Sequence, residues 1–136
     1  MNDEVTTRAV PSWYWIVAGL AVLWEGFGCY IYVTESLARG EAGAMDSYAT
    51  MASWQWGVFA IAVWSGLIGA IGLLLRKRWA ILALLVSLIA AVIQYGYEAA
   101  TNTLPGDAMP VAVSVVVIGV LLVAFANYSG RKGWLS

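Results

Sequence analysis

Residues 52–79 read ASWQWGVFAIAVWSGLIGAIGLLLRKRW, and this stretch decides the fold. Residues 52–75 carry no charged side chain, and they exceed the roughly 20 apolar residues that a helix needs to cross a bilayer. The basic tripeptide 76–78 follows, and the next apolar run starts directly after it. So short a connection predicts a tight antiparallel hairpin of two transmembrane helices.

The composition of the whole chain extends this prediction to a membrane protein. Of its 136 residues, 62% are hydrophobic and 11% are charged, whereas soluble domains carry about 25% charged residues. Four apolar runs account for the excess, at residues 13–33, 52–75, 79–97 and 109–126. We therefore predict an all-α, integral membrane four-helix bundle that forms one domain over residues 1–136.

Several function classes are disfavoured by what the sequence lacks. The net charge of −1 gives no sign of a nucleic-acid partner. The chain has no histidine, which is the usual general base and metal ligand, and its single cysteine is Cys29. No zinc spacing, phosphate-binding loop or nucleophile elbow is present. We expect no catalytic residues, no metal site and no cofactor, and hence no enzyme.

The basic residues predict how the chain is oriented. If the spans alternate, Arg8, residues 76–78, Arg131 and Lys132 fall on one side of the membrane, and Arg39 alone falls on the other. Because an excess of Lys and Arg marks the cytoplasmic side, both termini are predicted to be cytoplasmic. Residues 1–12 carry two acids and one arginine, so we expect the first run to remain as a span rather than act as a signal peptide.

Glu25 is an ionisable residue near the middle of the first span. Residues three, four and seven positions away share its helical face. That face carries Ala18, Ala21, Gly28, Cys29 and Tyr32. The opposite face carries Ile16, Leu20, Leu23 and Phe27. Small residues favour helix packing in lipid, so we predict that Glu25 points into the protein.

Spans two and three show comparable small-residue faces. On span three the face around Gln94 carries Ala80, Ala83, Ser87, Ala90, Ala91 and Glu98. On span two it carries Gln55, Ala62, Gly66, Gly69 and Ala70. Span four is rich in valine and lacks such a face. We expect spans one to three to pack together, with span four at the bundle edge or in an oligomer contact.

Depth in the membrane suggests partners for Glu25. It lies about 18 Å from the cytoplasmic end of span one, at 1.5 Å per residue. The same level on the other spans falls near Trp64, Ala91 and Ser114, with Gln94 about one turn further out. Trp64, Gln94 and Ser114 are therefore candidate hydrogen-bond partners of the carboxyl. For Trp64, simple packing and ligand stacking are both open.

Two interpretations of Glu25 follow from this setting. No basic residue is predicted at its depth, so removal from water favours the neutral carboxylic acid. It is then either a structural hydrogen-bond donor between helices, or a proton-linked or ligand-binding carboxylate. Tyr32 shares its face and completes the candidate site with Trp64, Gln94 and Ser114.

Three stretches carry a resemblance to a known family. They are LWEGFGCYIYV (23–33), WGVFAIAVWSGLIGAIGLLLRKRWA (56–80) and RKGWLS (131–136). Nearly the whole chain resembles small four-span bacterial inner-membrane proteins of uncharacterised function, sometimes labelled sugar transporters. The resemblance implies a multi-pass protein of the bacterial inner membrane. That family usually has Asn where this chain has Glu25, and often an acid where it has Ile31, which suggests that polarity at residue 25 matters more than charge.

Two functional hypotheses remain open from the sequence. In the first, an oligomeric bundle binds or moves a small molecule or lipid, with Glu25 as its central polar group. In the second, the protein is a structural or accessory subunit of a larger membrane complex, which its small size and short loops favour. Membrane lipids are expected partners in both. Copurification discriminates between them, because only the second predicts a defined large partner.

Overall fold

The computed structural model describes residues 9–37, 53–101 and 109–136, which form four α-helices. These helices are α1 (Ser12–Leu37), α2 (Ser53–Leu74), α3 (Trp79–Ala100) and α4 (Met109–Arg131). Each contains a stretch long and apolar enough to cross a bilayer. The predicted all-α four-helix membrane fold is confirmed, and the four spans support a multi-pass membrane protein.

Backbone chemistry explains why these apolar runs are helical. Hydrocarbon offers no water to bond N–H and C=O groups, and a helix satisfies them within its own segment. α1 begins directly after Pro11, whose carbonyl accepts the N–H of Tyr14 at 3.0 Å. Pro110 lies in the first turn of α4, where its missing N–H leaves no helical bond unmade.

Consecutive helices pack as antiparallel neighbours, with α1 on α2, α2 on α3 and α3 on α4. The α2–α3 contact is very close. A Cβ placed on Gly69 would lie 2.7 Å from Cγ of Leu84 and 3.1 Å from its backbone nitrogen. The absence of a side chain at Gly69 therefore permits this approach. On α4, Gly119 plays a similar part, because its Cβ would lie 3.0 Å from Leu88.

The predicted packing faces are confirmed by side-chain burial. Ala18 and Ala21 of α1 are buried, whereas Leu20 and Leu23 are 59% and 70% exposed. The small-residue faces of α2 and α3 are buried at Gln55, Gly66, Gly69, Ala70, Ala80, Ala90, Ala91, Gln94 and Glu98. The chain thus turns its small residues inward and its bulky aliphatic residues outward, as helices in lipid do.

α2 and α4 end in the same way, on a residue in the left-handed conformation. At the end of α2 this residue is Arg76, with φ of 56°, and the N–H of Lys77 bonds the carbonyl of Gly72 at 2.8 Å. At the end of α4 it is Gly133, with φ of 78°. Glycine commonly fills this position because it has no Cβ, so Arg76 is the exception here.

The contacts of Arg76 account for that exception. Its Nε donates to the carbonyl of Trp134 at 2.9 Å. Its carbonyl accepts the N–H of Ser136 at 2.9 Å, and the N–H of Arg78 donates to the carbonyl of Ser136 at 2.8 Å. We call Arg76, Arg78, Trp134 and Ser136 the end clasp. It joins the α2–α3 connection to the segment after α4, a link that the sequence had not predicted.

Basic residues gather at the same end of the bundle as the end clasp. Residues 76–78 connect α2 to α3, and Arg131 and Lys132 close α4. We call this the basic end. Glu35 on α1 and Glu98 on α3 both lie near the other end of the bundle. The two other basic residues of the predicted charge pattern, Arg8 and Arg39, lie outside the described residues.

Candidate functional site

The Glu25 carboxyl lies where three helices meet. α1 carries Glu25, and α2 presents Gly66 to it without a side chain. A Cβ on Gly66 would lie 2.7 Å from Cδ of Glu25 and 2.9 Å from Oγ of Ser87 on α3. Gly66 therefore leaves the space that the carboxyl occupies. We call Glu25, Gly66 and Ser87 the three-helix junction.

Ser87 is held in place by the backbone of α2. Its hydroxyl donates to the carbonyl of Ala62 at 2.6 Å, one turn before Gly66. This bond uses the only hydroxyl hydrogen, and the lone pairs of the oxygen remain available to accept from another donor. All five basic residues that the structure describes lie at the basic end, so none lies beside the junction.

The junction is closer to the basic end than the depth prediction placed it. Counting along the backbone put Glu25 level with Trp64 and Ala91, whereas its carboxyl meets Gly66 and Ser87. The reason is that helical side chains lean toward the N-terminus of their own helix. α1 runs away from the basic end, so its Glu25 side chain reaches back toward it.

Gly66 and Ser87 were therefore missed as contacts of the carboxyl, although both lie on predicted packing faces. Both contacts could have been predicted from the lean of the Glu25 side chain toward the N-terminus of α1. Ser114 was proposed as a partner, but it is exposed, and its hydroxyl donates to the carbonyl of Pro110 at 2.7 Å within α4. The structure therefore does not bring Ser114 into the junction.

Tyr32 and Trp64 belong to an aromatic cluster further from the basic end. The Tyr32 ring makes edge contacts with Phe59, Trp56 and Trp64, with centroids 5.2, 6.0 and 6.4 Å apart. Trp64 is 42% exposed, so it lies at the side of the bundle rather than inside it. Tyr32 follows Glu25 by two turns on the same face of α1. The cluster therefore lies beyond the junction, on the side away from the basic end.

Gln94 is buried on α3, as its small-residue face predicted. It lies seven residues beyond Ser87, or roughly 10 Å along the helix at 1.5 Å per residue. Gln55 and Glu98 are also buried, and they lie still further from the basic end. The structure therefore places Gln94 in a separate polar row and leaves the three-helix junction to Glu25 and Ser87.

An apolar groove runs between α1 and α4 beside the junction. It has a volume of about 650 Å³, and its walls come from residues 17–27 and 118–125. Ala21, one turn before Glu25, lies in one wall. Toward the basic end, Phe125 meets Tyr14 at 5.4 Å and Trp13 at 6.0 Å between ring centroids. These rings close the groove at that end.

The chemistry available at the junction is that of one carboxyl and one hydroxyl. Within the described residues, no group of three or more His, Cys, Asp or Glu side chains could hold a metal ion. Cys29 lies one turn beyond Glu25, and its thiol donates to the carbonyl of Val63 at 3.3 Å. Such a junction can hold a proton or bind a ligand that offers hydrogen-bonding groups.

Comparisons of the chain with protein-family models, with curated proteins and with solved structures give no match.

Proposed function

We propose that this protein binds a small molecule or lipid within the membrane and, as an oligomer, moves it, with Glu25 as the central polar group. The observation that carries the proposal is the position of the Glu25 carboxyl against Gly66 and Ser87, midway along α1. An ionisable group at such a depth is costly, and in membrane proteins it commonly marks a ligand or proton pathway.

The junction supplies both halves of a hydrogen-bonding site. The neutral acid donates from Glu25, and the Ser87 oxygen accepts, because its own hydrogen is held by Ala62. A bound ligand with a hydroxyl group meets both functions, because a hydroxyl both accepts and donates. The α1/α4 groove offers an apolar compartment beside them, with Ala21 in its wall.

Oligomer formation accounts for movement of the ligand. Four helices leave little room for the two-sided pathway of larger transporters, which is built between repeats. An exposed row on α4, formed by Val113, Val117 and Val120, offers a surface for a second copy. The basic end faces the cytoplasm in this proposal, by the positive-inside rule, in the inner membrane of a bacterium as the family resemblance implies.

The test measures ligand retention in purified protein at acidic and at alkaline pH. Native mass spectrometry from mild detergent reports any non-protein mass that stays bound to the wild type. We expect Glu25→Gln to keep binding without pH dependence, because the amide provides a donor and an acceptor but does not titrate. Glu25→Leu should lose binding. Glu35→Gln, a matched change near the far end of α1, should behave as the wild type.

Unchanged pH dependence in Glu25→Gln would exclude Glu25 as the proton-linked group. The same purification tests the alternative role of an accessory subunit. The exposed bulky row of α1, with Leu20, Leu23 and Phe27, is the surface that favours that role. A defined larger complex that copurifies from native membranes, with no ligand on the isolated chain, would replace ligand binding by this second function.

A further inference from the structure

We propose that the α1/α4 groove binds an acyl chain of an anionic phospholipid, drawn from the leaflet at the basic end, with Lys132 beside the phosphate. The inference rests on the proposed function and names the class of ligand within it. The groove itself, rather than the three-helix junction, carries the argument.

The length and depth of the groove match one leaflet. Its α1 wall runs from residue 17 to residue 27, which is about 15 Å at 1.5 Å per residue. The hydrocarbon core of a bilayer is about 30 Å thick, so the groove spans about half of it. α1 begins at Ser12, and the groove therefore occupies the half nearer the basic end.

The chemistry of the walls fits a hydrocarbon chain. All residues that line the groove are aliphatic or aromatic, including Trp24 and Phe27 on α1 and Leu121 and Leu122 on α4. Leu20 in the α1 wall and Leu121 in the α4 wall are 59% and 61% exposed, so neither wall is filled by another part of the described chain. A flexible acyl chain covers such a surface without requiring any polar partner.

Lys132 lies where the headgroup of that lipid would be. Its N–H bonds the carbonyl of Tyr128 at 3.0 Å, which continues the helical path beyond α4. Residues 118, 125 and 132 are seven apart, so Lys132 shares the groove face of α4. Its Nζ lies 5.5 Å from the centroid of the Tyr128 ring. A cation therefore lies beyond the Phe125 end of the groove, at the level of the interface, while the groove is open along its side at Leu20 and Leu121.

Charge favours a phosphate over a second copy of the chain at this place. The described acids Glu25, Glu35 and Glu98 all lie away from the basic end, which presents Lys132 beside Arg131. A second copy inserted in the same orientation and seated in the groove would place its own basic residues beside Lys132, where like charges repel. The row Val113, Val117 and Val120 that is proposed for the oligomer lies outside the groove. A lipid phosphate is instead attracted to the basic end, and each basic residue near the surface strengthens that attraction.

The experiment is a lipid competition on the full-length protein. Protein in mild detergent is mixed with equal amounts of phosphatidylglycerol and phosphatidylcholine of identical acyl chains, and native mass spectrometry counts the adducts. We expect phosphatidylglycerol to dominate on the wild type. Lys132→Gln should lower that adduct about fivefold and lower the phosphatidylcholine adduct less, because the choline cation already offsets the charge of its phosphate. Lys77→Gln, the charge control on the α2–α3 connection, should have a smaller effect.

A second pair of variants tests the groove. Leu121→Trp adds bulk at an exposed groove position and should lower both adducts, whereas Val111→Trp, exposed on α4 but outside the groove and the valine row, should not. Equal adducts of the two lipids on the wild type would overturn the headgroup assignment. Full binding to Leu121→Trp would overturn the groove assignment. A dimer that is lost in Leu121→Trp, with no lipid adduct, would assign the groove to a second copy.

The two proposals fail separately. If phosphatidylglycerol shows no preference while Glu25→Gln still abolishes pH-dependent ligand retention, only the groove inference is wrong. If the lipid preference holds and the Glu25 variants change no binding, the role of Glu25 in the proposed function is wrong and the groove inference stands.

Discussion

Gly69→Ala tests the close approach of α2 to α3. The new Cβ would lie 2.7 Å from Cγ, 2.9 Å from Cδ2 and 3.1 Å from the backbone nitrogen of Leu84. Leu84 is 2% exposed, so its side chain has little space into which to rotate. Part of the clash involves backbone, which moves only if the two helices separate. Gly57 of the same helix is exposed, and a Cβ there would meet nothing within 4 Å.

The expected effect follows from two opposed terms. Replacing Gly by Ala within a helix stabilises by roughly 0.5–1 kcal/mol, and this term acts at both positions. Overpacking of a close contact costs typically about 1–3 kcal/mol and acts only at Gly69. We therefore expect the free energy of unfolding of Gly69→Ala to be lower than that of Gly57→Ala by about 1–3 kcal/mol.

Reversible unfolding in mixed micelles, followed by far-ultraviolet circular dichroism, measures this difference. A double variant supplies the control for mechanism. In a Leu84→Ala background the clashing side-chain atoms are gone, so the added penalty of Gly69→Ala should shrink. Equal stabilities of Gly69→Ala and Gly57→Ala would refute the close α2–α3 packing, as would a penalty that Leu84→Ala does not reduce.

Substitutions at three further residues probe the junction and the basic end. Tyr14→Phe removes the 2.5 Å hydrogen bond to the carbonyl of Leu73 and should lower the free energy of unfolding by about 1 kcal/mol; an unchanged value would argue against the bond. Glu25→Gln should keep the thermal midpoint in detergent, whereas Glu25→Leu should lower it, because a branched apolar side chain replaces the carboxyl beside Ser87. The free energy of unfolding of Arg76→Gly, measured by denaturant titration, should exceed that of Arg76→Ala by about 1 kcal/mol, because only glycine lacks the left-handed penalty. The reverse order would contradict the φ of 56° at this position.

The fold and the packing faces were predictable because the bilayer imposes simple rules on a sequence. Each crossing needs about 20 apolar residues, and small residues mark where helices touch. Ala21 and Leu20 are adjacent in the chain, yet their sizes alone predicted that the first is buried and the second exposed. Such alternation along α1 required no knowledge of its partners.

The contacts of Glu25 were harder to predict, because they depend on how far each helix extends and where a side chain leans. Counting residues gave the level of a backbone atom, whereas the carboxyl meets Gly66 and Ser87 nearer the basic end. The end clasp was even harder to predict from the sequence. Its bonds to Ser136 from Arg76 and Arg78 run mostly between backbone groups, which every residue carries.

The end clasp also constrains how the chain can be threaded through a bilayer. Arg76 and Trp134 are 58 residues apart, and their hydrogen bond requires both to be on one side of the membrane. The number of crossings between them must then be even, which two full spans satisfy and a single misinserted one does not. An inverted α4 would carry Trp134 and Ser136 to the opposite surface, out of reach of Arg76. The hydrogen bonds of the end clasp can therefore form only after the second of those spans has inserted.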